Sequence, residues 1–563
     1  MWLVNAAGVY LCLFCLRPAE SGGGSTSRVV SHQDYCGPGV SLNTFTSNPE
    51  EYPKCLIPVA NRPMLWYALD WSKRMGITDV TLVTPPSSLA PLQAALRQNP
   101  HLTSLPSPSV IAPAALEMTT GTAELLRLPE VQTCIKSDFL LLPCDLVCEI
   151  PGESLLEAWM VSGGEKNRRN GLSMYYQTQG REESVKGEAA DFVAVAPLEQ
   201  NEAPTVSHAA LRSSLSKLVL SMPMATLKEK LENDKGFLVR HSLVDTHAQV
   251  KLLTTYRDAH IYVLPYWVKD MARLNEQFQS VGEDLVGWWA KSEWQQGLSE
   301  KLKINEIFQQ KSRRQSHGLT LGESESHDGE SIDGESLEEE IDLESMSTTK
   351  ATPAKFSTAA SDPQFASRIK APTTQTAKSP KSNLPPMLAY VQKGTAPFVR
   401  RVDSSAILLS TSLRLAKLES IEEVGRVASS AFAHASKVAN TASIAQRCTV
   451  TRNDCLVDNN TTIEEKCVIK ETIIGANCHI ASGARLTRCL IMDGAVVGER
   501  CQLTGTIVGR RSKIGRETVL KDCEVQDGNV VPDDTDAKNE KFMIFEGIDD
   551  EDDMDGSEDD QDY

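Results

Sequence analysis

Along the last quarter of the chain, apolar side chains recur at a fixed spacing of 17 in three columns. The first column is Val457, Ile474, Ile491, Val508 and Val525; the second, six residues on, is Ile463, Ile480, Val497, Ile514 and Val531; the third is Ile469, Leu486, Leu503 and Leu520. A unit of about six residues, three to a turn, predicts a parallel β-helix in which one aliphatic residue per side points inward and stacks along the axis. Cys455, Thr472, Cys489, Thr506 and Cys523 keep the same period, as do Cys478, Ala495 and Ser512. Such small side chains fit the corners of a triangular coil. Neither a heptad nor a helical repeat has this period. Residues 429–446, rich in Ala and Ser, are expected to hold an earlier, degenerate turn.

Upstream the pattern changes. Met64, Ala68, Trp71 and Met75 share one helical stripe, with Gly76 placed to stop the helix. Residues 79–84, 138–143, 192–196 and 260–264 are short apolar runs suited to buried strands, with helical patterns between them. That alternation predicts a mostly parallel sheet with crossover helices. From Gln310 to about Pro386 the chain turns to Ser, Thr, Glu, Lys and Pro, too polar to bury a core. The expected organisation is an N-terminal segment (1–35) of unassigned structure, an α/β domain (36–309), a disordered acidic linker (310–387), a β-helix domain with its lead-in (388–531) and a disordered acidic tail (532–563).

With 563 residues and 41% apolar content the chain can fill more than one core. The net charge of −18 disfavours a nucleic-acid groove, and much of it sits in residues 323–344 and 549–562, as solvated blocks. The 14 cysteines show no paired zinc spacing and fall largely in the repeat columns, so a reducing, cytosolic setting is expected. Residues 2–16 are apolar but too short to span a bilayer, and lack the basic flank of a secretion signal. No membrane role is expected.

Four segments of the α/β part carry candidate chemistry: residues 36–42 (CGPGVSL), 52–63 (YPKCLIPVANRP), 121–124 (GTAE) and 143–146 (PCDL). In this order they resemble the sugar-phosphate nucleotidyltransferases, which join nucleoside triphosphates to sugar 1-phosphates. The resemblance implies a Rossmann-like α/β fold with a nucleotide pocket at Gly37, Gly39, Lys54, Gly121 and Asp145, the last as a Mg²⁺ ligand. GTP and Mg²⁺ are its candidate ligands, and neither is expected to be required. The family places a strand directly before the glycine loop. Residues 29–35 are a poor strand and residues 9–16 a better one, so either the first strand is displaced or the first 35 residues belong to an alternative or mispredicted start.

Three departures argue against catalysis. The loop arginine of the enzymes aligns with Ser41, whose hydroxyl cannot offset charge on a pyrophosphate leaving group. His260, within 258–262 (DAHIY), stands where a glycine lets the sugar lie against backbone. No Glu-Lys-Pro sugar-binding segment is present. No catalytic residue is assigned. A degenerate domain of this kind joined to a hexapeptide-repeat left-handed β-helix is similar to the gamma-subunit family of translation initiation factor 2B. The resemblance, carried also by the looser fit of residues 281–289, implies a non-catalytic role. The chain would pair with the epsilon subunit and the other subunits and promote guanine-nucleotide exchange on initiation factor 2. The epsilon subunits add a helical exchange domain, for which the short acidic stretch after the last column has no room. The alternative is an active mannose-1-phosphate guanylyltransferase or related pyrophosphorylase. A hexapeptide-repeat acyltransferase is disfavoured because His479 is the only histidine in the repeats proper.

Overall fold

The computed structural model describes residues 42–46, 50–77, 79–116, 120–161, 169–198, 214–237, 239–295, 297–308, 384–394 and 397–544, with the backbone of 10–14. The α/β domain is built on strands β1 (Tyr10–Phe14), β2 (Val80–Val83), β3 (Ser109–Ile111), β4 (Phe139–Pro143), β5 (Leu146–Cys148), β6 (Gly171–Gln177), β7 (Asp191–Ala196), β8 (Leu215–Pro223), β9 (Lys251–Leu264), β10 (Met387–Val391) and β11 (Val399–Arg401). Nine of them form one sheet in the order β3-β2-β1-β4-β9-β6-β10-β8-β7, with β9 also meeting β7. β5 and β11 form a separate antiparallel pair.

The expectation of a mostly parallel sheet holds for one half; the other is mixed, with β10 parallel to β6 and antiparallel to β8. β3, β2, β1 and β4 run parallel, whereas β9 is antiparallel to β4, β6 and β7. β1 lies between β2 and β4, so the displaced first strand is the alternative seen, and it falls within residues 1–35. β10 lies between β6 and β8. Its residues, read from sequence as the end of a linker and the lead-in to a coil, complete the α/β sheet instead. Composition marks where a chain turns polar, not where it returns to a sheet begun earlier. The indole of Trp289 donates to Pro385 O at 2.8 Å and fixes the entry to β10.

Helix α1 (Met64–Arg74) buries Met64, Leu65, Tyr67, Ala68 and Trp71. It ends where Gly76 takes φ +74°, a left-handed turn that glycine adopts without strain.

The coil follows from its columns. Its strands stack in three parallel sheets, one per side, from Ser443–Ile444 to Lys541–Phe542. All three predicted apolar columns are buried, and the corner cysteines and threonines with them. A bridge between Val438 and Val457, and the pairing of Ser443–Ile444 with Thr462–Ile463, add the earlier turn. At the other end Asp536–Lys538 and Lys541–Phe542 still pair, so the coil runs past the boundary drawn at 531, under polar residues that hid it.

A fourth apolar column, Leu456, Ile473, Leu490 and Ile507, immediately precedes the first. Successive strand residues point to opposite faces, so this column faces outward, and yet each member is at most 3% exposed. The cover is the α/β domain: these side chains join the same apolar cluster as α1 and as Leu408, Leu413 and Leu415 of helix α2 (Ser405–Ala416). The fifth position, Glu524, accepts a hydrogen bond from Thr44 Oγ1 at 2.7 Å.

Candidate functional site

Of the expected pocket residues, Lys54 and Asp145 are brought together. Asp145 follows β4, and Lys54 lies in a single helical turn, Lys54–Leu56. Lys54 Nζ stands 3.1 Å from Asp145 Oδ2, and the two side chains are 1% and 0% exposed. Gly37, Gly39 and Ser41 lie outside the described residues. Gly121 is spent on packing: a Cβ there would sit 2.1 Å from Gln279 O. The same carbonyl accepts from Ala123 N at 2.9 Å, and the Glu124 carboxylate accepts from Gly121 N at 2.7 Å.

A residue that the motif comparison missed completes the site. β11 pairs with β5 in the register Val399–Cys148, Arg400–Val147 and Arg401–Leu146, and Val402 N donates to Asp145 O at 2.8 Å. The pleat sends its two arginines to opposite sides. Arg400, fully buried, donates to both oxygens of Glu188 at 2.6 and 2.7 Å and to Glu183 O at 2.9 Å. Arg401 donates to Asp145 Oδ1 from Nε at 3.3 Å and to Oδ2 at 3.4 Å. Both carboxylate oxygens are thus held by cations. Burial alone would raise the Asp145 carboxyl, but Arg401 and Lys54 outweigh it and hold it far below the usual carboxylate range.

His260 belongs to the same cluster. It sits in an irregular stretch of β9, between Asp258 and Tyr262, with φ +53°. Asp258 Oδ1 accepts from its N–H at 2.8 Å and holds that strained turn. Its Nε2 lies 3.1 Å from an Arg401 guanidinium nitrogen. Burial first, then Arg401, push the imidazole well below its usual range, so the neutral ring can accept from the guanidinium. Arg257 bridges Asp403, through both terminal guanidinium nitrogens, and Glu188. The signal for this network was in the sequence: the adjacent pair Arg400-Arg401 is framed by Phe398, Val399 and Val402, and an apolar frame around two charges points to buried ion pairs.

The rest of the Tyr52–Pro63 segment turns to the coil. The Arg510 guanidinium lies 3.1 Å over the Tyr52 ring, and Asn61 Nδ2 donates to Ile474 O at 2.9 Å. Arg62 donates to Phe432 O and Ala433 O at 2.9 and 2.8 Å and packs 4.3 Å from the Trp66 ring. A segment expected to serve phosphates therefore serves chiefly to dock one domain on the other.

Among the described residues no group of three metal-ligating side chains could hold an ion, and no helix is long and apolar enough to cross a membrane. The described cysteines are free thiols.

Comparison with known proteins agrees with this architecture. Residues 432–537 match the family described as the EIF2B subunit epsilon LbH domain, a left-handed β-helix. Over 278 residues the chain is 27% identical to translation initiation factor eIF2B subunit gamma of Schizosaccharomyces pombe, a match covering 49% of this chain and 54% of the relative. The chain thus spans about half the length of the curated relative it matches.

Proposed function

We propose that this chain, eIF2B gamma-like in sequence and architecture, is a non-catalytic subunit of translation initiation factor 2B that pairs with an epsilon subunit and promotes guanine-nucleotide exchange on initiation factor 2. The observation that carries the non-catalytic reading is the closure of Asp145 by Lys54 and Arg401. A nucleotidyltransferase needs its aspartate open to metal and its lysine open to phosphate, so that both can act on charge developing in the transition state. Here each has consumed the other. A magnesium ion could gain Asp145 as a ligand only if Arg401 withdrew, so the residues present do not fit a resident Mg²⁺–GTP. The reading also implies a soluble life in the cytosol and partners that are proteins.

The test is reconstitution. GDP release from initiation factor 2 is followed with the epsilon subunit alone and with this chain added; faster release with a stable pair supports the proposal. Release of pyrophosphate from GTP and mannose 1-phosphate is expected at background. Pyrophosphate release that disappears in Asp145→Asn, with no effect on exchange, would overturn the reading in favour of a guanylyltransferase.

A further inference from the structure

At the seam between the two domains, away from Asp145, a cleft of about 620 Å³ opens. Clefts of this size hold small-molecule ligands. Its charged lining is Arg62, His101, Arg426, His434 and Lys437, against one carboxylate, Asp458. Arg62 and Lys437 are both buried. The hydrogen-bond partners of Arg62 are two backbone carbonyls, and those of Lys437 are the carbonyls of Ala416 and Leu418. Among the described residues neither makes an ion pair, and the buried Nε2 of His434 has no hydrogen-bond partner.

Carbonyl dipoles solvate a cation but leave its charge. Two buried cations facing one cleft with no carboxylate in ion-pair contact are costly, because charge taken out of water is recovered only by close pairing; Asp70 near Arg62, and Glu423 and Asp454 near Lys437, act on them without forming an ion pair. Elsewhere among the described residues the buried arginines are matched: Arg181 by Glu183, Arg257 by Asp403, Arg400 by Glu188 and Arg401 by Asp145. The seam is the exception. Burial first, then repulsion from Arg62, His101 and Lys437, hold His434 well below its usual range, so these groups share one field.

We propose that this cleft binds a small phosphate-bearing molecule, with the phosphate dianion between Arg62, Lys437 and His434 and the attached group filling the remaining volume. Both domains contribute: Arg62 and His101 precede the coil, whereas His434 and Lys437 lead into it. Occupancy therefore tightens the seam, and a ligand that binds only the docked state stabilises it by mass action.

The test is isothermal titration of the full chain at low ionic strength, without magnesium, using inorganic phosphate, mannose 1-phosphate and GDP as probes. Saturable binding of at least one probe below about 1 mM is expected, weakening as salt is raised. Asp458→Asn removes the one opposing charge and should tighten binding about threefold. Arg426→Gln, at an exposed position, should weaken it by a similar factor, and Lys437→Met at least about tenfold. The Asp458 and Arg426 variants keep the test decisive if Lys437→Met fails to fold. Phosphate binding as tightly as the esters would mean an inorganic ligand, and tighter esters a sugar or nucleoside phosphate; either supports the site. Absence of heat with all three probes at about 10 mM, or heat that neither Asp458→Asn nor Arg426→Gln alters, overturns it.

Discussion

Replacing Asp145 by asparagine keeps the shape of the side chain and removes the one anion shared by Lys54 and Arg401, at 3.1 and 3.3 Å. Two cations are then left in a site with almost no solvent. Breaking a buried pair by removing one partner costs about 3–5 kcal/mol. A domain of this size loses roughly 2–4 °C of melting temperature per kcal/mol, so the expected fall is roughly 6–20 °C. Because the Asp145 carboxyl is held below its ordinary value, its contribution is fully present above the unfolded value of about 4 and is lost only as pH falls through the folded one. The penalty should therefore be equal at pH 6 and pH 8. Scanning calorimetry of the full chain, with and without Mg²⁺ and GTP, is the assay. Adding Lys54→Met and Arg401→Met to Asp145→Asn should recover most of the loss, since a buried ion cluster can be exchanged for apolar volume. An aspartate kept for metal in an open pocket would behave otherwise: its asparagine variant would melt within about 1 °C of the parent, and Mg²⁺–GTP would stabilise only the parent. That result would refute the closed-site reasoning.

Leu490→Ser and Ile491→Ser, one residue apart, should fail differently. The first removes an outward anchor and should loosen the seam, seen as new proteolytic cleavage between intact domains; the second opens the coil interior and should unfold it, at about 2–5 kcal/mol, seen as lost β-sheet circular dichroism. Burial pushes the Asp258 carboxyl up to about 7, against the hydrogen bond from Tyr262 and with the help of Asp191. The folded state then holds this proton longer than the unfolded one, so stability falls as pH rises from about 4 to about 7 and is level above. Asp258→Asn should remove a fall on the order of 3 kcal/mol, measured by urea titration at pH 5 and pH 8; an unchanged difference would refute the assignment. Gly121→Ala drives a Cβ onto the Gln279 backbone and should cost about 1–3 kcal/mol in thermal unfolding, whether or not any nucleotide is present.

The coil was legible because its constraint is periodic. Each turn repeats the demand for one inward aliphatic residue per side, and the columns follow at once. The outward column is equally periodic, but Leu456, Ile473, Leu490 and Ile507 sit directly beside the inward set, and only strand alternation separates the two. Lys54 and Asp145 were legible as a pair because their motifs stand in family order. Their fate was not, since it depends on Arg401, more than 250 positions from Asp145 and brought back by a strand pair. Chemistry set by local motifs can be read along a chain; chemistry set by a distant counter-ion requires the fold.

The position of β10 has a bearing on how the molecule is made. The ribosome delivers β6 and β8, then the whole of residues 309–383, and only afterwards the strand that fits between them. Until then the nascent domain holds a sheet with a slot in it, with open strand edges of the kind that recruit neighbouring chains. Asp145 meanwhile waits for Arg401. A fragment cut at the compositional break would freeze that unfinished stage, and expression of the α/β half should begin to yield soluble protein only once the sequence extends beyond Arg401.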